Sequence, residues 1–391
     1  MIDLNLIAYM EEELRHTPQQ FRRYMYDKIL WNDRMIGIVG PRGVGKSTMV
    51  KQYILSSPDR KEFLYVSADH TYFSFHSLTF LADEWSKEGG KTLVIDEIHK
   101  YPEWSRELKQ IYDTHPGLKV IFTGSSILDI HKGAADLSRR ALIFMMQGLS
   151  FREYLMLDKN IELPAYPLEE ILNNKVEIPV DFHPLPLFRE YLKKGYYPFS
   201  SQPGYEIRLQ QVVNQTIEGD IPQYAGMNVA TGRKLKQLLV ILSKAAPYKP
   251  NMANLCTELK VSKNDLPNYL AYLETAGMIG QLRDDTGGLR GLGKVEKVFI
   301  DNPNLMYALG NSGTNVGSLR ETFFYNQMRV NNDVTSSKIT DFRIGDNIFE
   351  VGGAGKGKKQ LEGLENDFVV RDDIEYGHAN FIPLWHFGLN Y

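Results

Sequence analysis

The segment Gly40-Pro41-Arg42-Gly43-Val44-Gly45-Lys46-Ser47-Thr48 constrains this chain more than any other, because it satisfies G-x-x-x-x-G-K-[ST] between an apolar strand and a helical segment. Met35-Ile36-Gly37-Ile38-Val39 precedes it and Met49-Val50-Lys51-Gln52-Tyr53-Ile54-Leu55 follows it. Strand, glycine loop and helix in that order predict a phosphate-binding turn. Gly40, Gly43 and Gly45 let backbone N–H groups turn onto phosphate oxygens, and the following helix points its positive end at them. In this pattern Lys46 reaches the β- and γ-phosphates of a nucleoside triphosphate, Ser47 supplies a hydroxyl to Mg²⁺, and Thr48 adds a further phosphate contact.

A second segment, Lys91-Thr92-Leu93-Val94-Ile95-Asp96-Glu97, reads as a buried strand ending in two carboxylates, the Walker B pattern. Asp96 is the candidate for holding Mg²⁺ through its water shell, and Glu97 the candidate general base that polarises the attacking water. The plainer alternative is a strand followed by an acidic helix start. Further on, His115-Pro116-Gly117 breaks the chain before the strand Leu118-Lys119-Val120-Ile121-Phe122, which runs into Thr123-Gly124-Ser125-Ser126. Ser125 is the first candidate for sensing the γ-phosphate and Thr123 the second; equally, these hydroxyls cap the next helix. His99 reads as a structural residue at a helix start.

Phe63-Leu64-Tyr65-Val66 is a further expected strand, and Glu103 to Asp113 a helix between the Asp96 strand and the one after it. Thr17 to Trp31 is expected to be an amphipathic helix with Arg22, Arg23 and Lys28 on a solvated face. Alternating strands and helices predict an α/β fold: a P-loop NTPase core with a parallel sheet and helices on both faces. Taken in order, Gly40–Thr48, Leu93–Glu97 and Thr123–Ser126 resemble an AAA+-type P-loop ATPase over residues 15–157. Asp136-Leu137-Ser138-Arg139-Arg140-Ala141, followed by Gly148-Leu149-Ser150-Phe151-Arg152-Glu153-Tyr154, resembles a bacterial and archaeal AAA group close to the STAND-type ATPases. That group usually carries a carboxy-terminal domain of unknown function. The resemblance implies an arginine before the fifth core strand acting in trans, which falls on Arg139 or Arg140 without choosing between them. The alternative is that both arginines pair with surface carboxylates.

The expected division is an ATPase domain at 1–157, a linker with connecting helices at 158–227, a winged-helix domain at 228–300 and a small α+β nuclease-like domain at 301–391. Pro164, Pro167, Pro179, Pro184 and Pro186 mark the linker. Helices at Lys234–Ala246, Met252–Leu259 and Asp265–Ala276, then a glycine-rich hairpin, form the winged-helix pattern. Residues 228–300 hold eleven Lys/Arg against six Asp/Glu. DNA contact therefore stands beside a protein-contacting or structural role, but the expected recognition helix has no arginine, the residue on which base readout leans. In the last ninety residues Glu321, Asp341 and Glu350-Val351 resemble the PD-(D/E)XK nuclease scaffold. Gly352 stands where that pattern has lysine, and Lys356, Lys358 and Lys359 follow in a loop. A degenerate nuclease fold used for binding is the expectation, with an active nuclease as its alternative. Ile382-Pro383-Leu384-Trp385-His386-Phe387 reads as core packing of this domain.

The chain has 391 residues, 43% hydrophobic and 24% charged, with a net charge of −3, which gives no global bias toward nucleic acid. One cysteine, Cys256, excludes disulfides within the chain and a cysteine-based zinc site. With no membrane-length apolar run and an acidic start, a cytoplasmic location is expected. Asn174-Lys175-Val176-Glu177 is a poor echo of the guanine-reading motif, so ATP is expected over GTP. The reading is a Mg²⁺-dependent ATPase that hydrolyses ATP to ADP and phosphate to switch an attached binding module. Its alternatives are a nucleotide-gated switch with negligible turnover, and an ATP-regulated DNA-binding protein or nuclease. The expected partners are ATP and ADP, an unidentified protein, DNA as the open alternative, another copy of the chain in a homo-oligomer, and no membrane.

Overall fold

A computed structural model of the chain describes residues 2–124, 137, 139–225, 227, 229–245, 247, 249, 251–285, 293–310, 315–357 and 366–391. It divides into two compact units, Met1–Gly148 and Leu149–Tyr391.

In the first unit the elements are α1 (Leu4–Arg15), β1 (Met35–Val39), α2 (Lys46–Ser56), β2 (Phe63–Ser67), α3 (Leu78–Lys87), β3 (Thr92–Asp96), α4 (Trp104–Thr114), β4 (Lys119–Gly124) and β5 (Leu142–Met145). The five strands are all parallel, in the order β2-β3-β4-β1-β5. Every residue of β1 and β3 is buried, as a parallel sheet covered on both faces requires. Val39, Leu64, Val66, Leu93, Ile95, Val120 and Phe122 from the sheet meet Leu81, Leu108 and Ile111 from the helices in one core. Register sets the working edge: Val39 pairs with Gly124 and with Met145, and Ser67 pairs with Asp96. The carboxyl ends of β1, β3 and β4 therefore finish side by side, with the glycine loop leaving β1 at that edge.

The helix expected over Thr17–Trp31 does not form; one 3₁₀ turn, Tyr24–Asp27, is what that segment contains. Pro18 pushes Thr17 toward extended backbone. The carbonyls of Pro18 and Phe21 accept hydrogen bonds from Gln52 Nε2 at 2.7 and 2.8 Å instead of entering a helical ladder. Nor is the basic face solvated throughout, since Arg23 is buried. The amino-terminal helix is α1, capped by Asp3, whose carboxylate accepts the Asn5 N–H at 2.9 Å, and it buries Leu6, Met10 and Leu14 at helical spacing.

The second unit opens with α5 (Phe151–Lys159), α6 (Leu168–Leu172), α7 (Pro184–Lys194) and α8 (Tyr205–Asn214), then a π-helical stretch at Gln215–Asp220 and α9 (Ile221–Ala225). Helices α10 (Val229–Ala245), α11 (Met252–Leu259) and α12 (Asp265–Thr275) precede an antiparallel pair, β6 (Ile279–Arg283) and β7 (Val295–Ile300). After α13 (Pro303–Leu309) and α14 (Val316–Met328) comes a sheet of β8 (Val334–Ser336), β9 (Phe342–Ile344), β10 (Asn347–Gly352), β11 (Asp367–Arg371) and β12 (Phe381–Pro383). Strands β8 to β10 are antiparallel neighbours and β10 to β12 parallel ones. Phe324 on α14 lies 4.8 Å from Phe387, and Trp385 is buried, so the carboxy-terminal segment is core.

The stretch expected as a linker belongs to this second core. Tyr191, Tyr196, Tyr197 and Leu209 are buried. The Asn304 amide at the start of α13 donates to the carbonyls of Tyr191 and Leu192 at 3.0 and 2.9 Å, while its oxygen accepts the Tyr196 N–H at 2.8 Å. Pro184, which argued for a break, sits in the first turn of α7, where its missing N–H costs nothing. The boundary between the two units, at Gly148, falls just before α5. Among the described residues no helix is long and apolar enough to cross a membrane.

Candidate active site

The glycine loop between β1 and α2 is shaped by steric demands that its sequence meets. A Cβ on Gly40 would lie 2.1 Å from the Met146 carbonyl oxygen, and Gly45, directly before α2, has φ +97°. Lys46 is buried in the first turn of α2, and its ammonium donates to the carbonyls of Gly40 and Pro41 at 2.9 and 2.8 Å. Pro41 and Val44 are buried, while Arg42, Ser47 and Thr48 are half-buried. Beneath the loop Arg23 donates to the Val44 carbonyl and to the carbonyls of Gln147 and Gly148, the latter two at 2.8 Å. One buried guanidinium thus fixes the loop to the chain that leaves β5.

Asp96 ends β3 with its side chain buried and three hydroxyls turned toward it. Ser47 Oγ donates to its Oδ1 at 2.9 Å, Thr123 Oγ1 donates to the same oxygen, and Tyr65 OH donates to Oδ2 at 2.8 Å. Burial, and then the Asp96 carboxylate, push the Tyr65 phenol far above its ordinary value, so it remains a donor. The structure therefore brings together Ser47 and Asp96 from two distant motifs with Thr123, the second of the two sensor candidates. The first, Ser125, lies outside the described residues, as does Ser126.

Glu97 follows at φ +49°, an uncommon backbone for a residue with a side chain, and its N–H donates to Thr123 Oγ1 at 3.2 Å. Its carboxylate faces Arg42 of the glycine loop at 3.7 Å. His99 is buried two residues on, in a 3₁₀ turn. Burial, with Lys100, Arg42 and Lys46 nearby, pushes it down to about 3, so the ring is neutral at ordinary pH.

Arg139 and Arg140 precede β5, at the sheet edge opposite the glycine loop. The register Ile36↔Leu142 through Val39↔Met145 puts the length of a strand, roughly 13 Å at ~3.3 Å per residue, between Arg140 and the loop. Arg140 pairs with Asp113 of α4 through two bonds of 3.0 Å, and Arg139 is exposed. Neither joins the Ser47, Asp96 and Glu97 group of its own chain.

In the second unit Glu321 on α14, Asp341 before β9 and Glu350 on β10 approach two lysines. Lys297 of β7 lies 2.9 Å from Glu321 and 3.0 Å from Asp341, and Lys356 lies 2.5 Å from Glu350. Asp341 also accepts the Val351 N–H at 3.0 Å. Burial and the neighbouring Asp341 raise the Glu321 carboxyl, against the pull of Lys297. A Cβ on Gly352 would meet the Lys356 stem at 2.8 Å, so the glycine that replaces the expected lysine leaves room for Lys356 to cross. Lys358 and Lys359 lie outside the described residues. Among the described residues no group of three or more His, Cys, Asp or Glu side chains is arranged to hold a metal ion. On the helix expected to read bases, Glu274 binds Arg283 of β6 through bonds of 2.7 and 3.1 Å.

Tyr65 and Arg23 are the residues at this site that sequence reasoning missed. Tyr65 reads as one more apolar strand position, and its role emerges from the pairing of β2 with β3. Arg23 binds carbonyls 21 to 125 residues away, so no local pattern reports it.

Residues 32–155 match a family described as an AAA domain, and residues 185–315 match a domain of unknown function (DUF8612). Uncharacterized protein MJ1637 of Methanocaldococcus jannaschii is 28% identical over 305 residues, an alignment covering 71% of this chain. The chain spans 64% of the length of that curated relative. Among solved structures, the Walker-type ATPase PABY2304 of Pyrococcus abyssi is 15% identical with a TM-score of 0.46, over 77% of this chain and 95% of that one. AMPPCP-bound DnaA from Aquifex aeolicus is 11% identical with a TM-score of 0.24, over 70% of this chain and 89% of that one. Residues 32–155 thus carry an AAA-type P-loop ATPase domain.

Proposed function

Given an AAA-type P-loop ATPase domain at residues 32–155, we propose that this chain hydrolyses ATP to ADP and phosphate with Mg²⁺ and uses the cycle to switch a binding module in its second unit. The observation that carries the proposal is the meeting of Ser47 Oγ and Asp96 Oδ1 at 2.9 Å beside the glycine loop, with Glu97 next in the chain. Two adjacent hard oxygens suit Mg²⁺, a cation that keeps much of its water and takes few protein ligands. When bound, Mg²⁺ supplies positive charge to the β- and γ-phosphate oxygens.

The chain's own residues do the rest. Backbone N–H groups of Gly43 to Ser47 cradle phosphate oxygens, and Lys46 exchanges the Gly40 and Pro41 carbonyls for them. Thr123 and Tyr65 hold Asp96 in one orientation. Glu97 accepts a proton from the water that attacks the γ-phosphate, and Thr123 or Ser125 reports that phosphate's presence. Because Arg139 and Arg140 lie at the far edge of the sheet, either acts on the nucleotide of a neighbouring copy, which makes the active form a homo-oligomer.

For the second unit, binding is favoured over DNA cutting because, among the described residues, no group of three or more His, Cys, Asp or Glu side chains is arranged to hold a metal ion, and Glu321, Asp341 and Glu350 are paired with Lys297 and Lys356 instead. The pairing of Arg283 with Glu274 and of Lys294 with Glu296 favours a protein partner over nucleic acid for helices α10–α12 and their hairpin. The test is ATP turnover and nucleotide affinity in wild type, Lys46→Ala and Glu97→Gln. Lost affinity in the first variant and retained affinity with lost turnover in the second are expected. Turnover unchanged in Glu97→Gln would refute the proposed base.

A further inference from the structure

Both cations of the glycine loop are engaged with protein groups. Lys46 lies on the carbonyls of Gly40 and Pro41, and Arg42 faces Glu97, the proposed base, at 3.7 Å. That separation is too long for a hydrogen bond, so the pair is held by charge alone. Both side chains are about three-quarters covered, at 23% and 25% exposure. Among the described residues Arg42 provides the one cation within 4 Å of the Glu97 carboxylate. The turn at Glu97 is fixed by its positive φ and by its N–H bond to Thr123, so its side chain leaves the backbone in a set direction.

We propose that Arg42 is a positioning residue that holds Glu97 in the nucleotide-free state and releases it when a triphosphate claims the guanidinium. This rests on the reading of Gly40–Thr48 and Asp96-Glu97 as one nucleotide site. A triphosphate brings several negative charges to the loop that carries Arg42, against the single charge of Glu97. A guanidinium prefers the planar, bidentate recognition that phosphate oxygens offer and that the 3.7 Å contact lacks. Glu97 is then freed toward water only when nucleotide is present, which ties the proposed base to the occupancy of the loop.

The contact of Arg42 with Glu97 and its contact with phosphate are alternatives, so Glu97 competes with nucleotide for it. Removing the Glu97 charge should therefore tighten nucleotide binding more when Arg42 is present than when it is absent. The opposite sign follows if Arg42 instead screens Glu97 from phosphate in the bound state. The experiment is a double-mutant cycle on dissociation constants for a fluorescent, non-hydrolysable ATP analogue with Mg²⁺, measured on the full chain. Its variants are Glu97→Gln, Arg42→Met and the pair. A partly exposed pair predicts an excess tightening of about two- to five-fold in the Arg42 background. Arg42→Lys, which keeps the charge, should restore part of that excess. An equal or larger effect of Glu97→Gln beside Arg42→Met would overturn the proposal while leaving the nucleotide site intact. Wild-type affinity that is absent, or unchanged in Lys46→Ala, would overturn the site itself and the proposal with it. Urea midpoints of each variant confirm that the compared proteins are folded.

Discussion

Tyr65→Phe is the sharpest probe of how Asp96 is held, because it removes one oxygen and leaves the ring in place. Tyr65 is 1% exposed, and its hydroxyl is 2.8 Å from Asp96 Oδ2. A hydrogen bond to a charged group is worth about 1.5–3 kcal/mol. Ser47 and Thr123 still donate to Oδ1, so the carboxylate is not stranded and the lower end, about 1.5 kcal/mol, is expected. For a unit of this size that is a fall of roughly 0.5–1 M in urea midpoint. Loss of a group that orients a metal-holding carboxylate also weakens metal binding, typically by about ten-fold or more. The assay is paired: urea unfolding of the first unit, and the Mg²⁺ concentration that half-saturates nucleotide binding. Both should shift in Tyr65→Phe, and Asp96→Asn should abolish the Mg²⁺ response. A variant that loses stability with an unchanged Mg²⁺ half-point would refute the orienting role and leave Tyr65 as a core residue.

Three further predictions concern charge. His99 and His386 are both pushed down to about 3, chiefly by burial, from an ordinary value of 6.5. Below pH 6.5 the unfolded chain therefore takes up protons that the folded chain refuses, and stability falls with pH until about 3; between pH 7.5 and 5.5 each histidine costs its unit about 1.4 kcal/mol. Urea midpoints at the two pH values should show a smaller drop for the second unit in His386→Leu than in wild type. In that same unit Arg329 pairs with Asp301, which is 2% exposed, so Asp301→Ala should destabilise it by about 3–5 kcal/mol, read by denaturant unfolding. Finally, if Arg139 or Arg140 acts between copies, its alanine variant should lose turnover on the order of 10³-fold. Mixing that variant with Lys46→Ala protein should restore activity, since each supplies what the other lacks. No recovery would place the arginines outside the reaction.

What could be read from the chain followed from how local each signal was. The glycine loop and the strand before Asp96 are contiguous motifs, and β1 to β4 declare themselves as short, fully apolar runs. Thr123 was reachable because it ends such a run. Tyr65 was not, since the pairing Ser67↔Asp96 that brings β2 beside the carboxylate is a tertiary fact. The error over Thr17–Trp31 has a similar origin: its spacing of charges suggests a helix, but Gln52 takes its carbonyls and the glycine loop takes Arg23. By contrast α1, with Asp3 as cap and Leu6, Met10 and Leu14 four residues apart, carries a local signal that the sequence reading left unused. In the second unit the prolines of residues 158–227 suggested a linker because proline marks breaks in regular structure, whereas Pro184 begins a helix and the tyrosines beyond it supply core. The approach of Lys297 to Glu321 and Asp341 joins three elements distant in sequence, and only the folded chain displays it.

The most direct test of the account is steady-state ATP hydrolysis by the full chain, run beside nucleotide binding, for wild type and Glu97→Gln. The account expects Mg²⁺-dependent turnover in wild type, and its collapse in Glu97→Gln with affinity kept or tightened. Tight binding with no turnover in wild type, under conditions where the chain assembles, would contradict it and leave a nucleotide-gated switch in place of an ATPase.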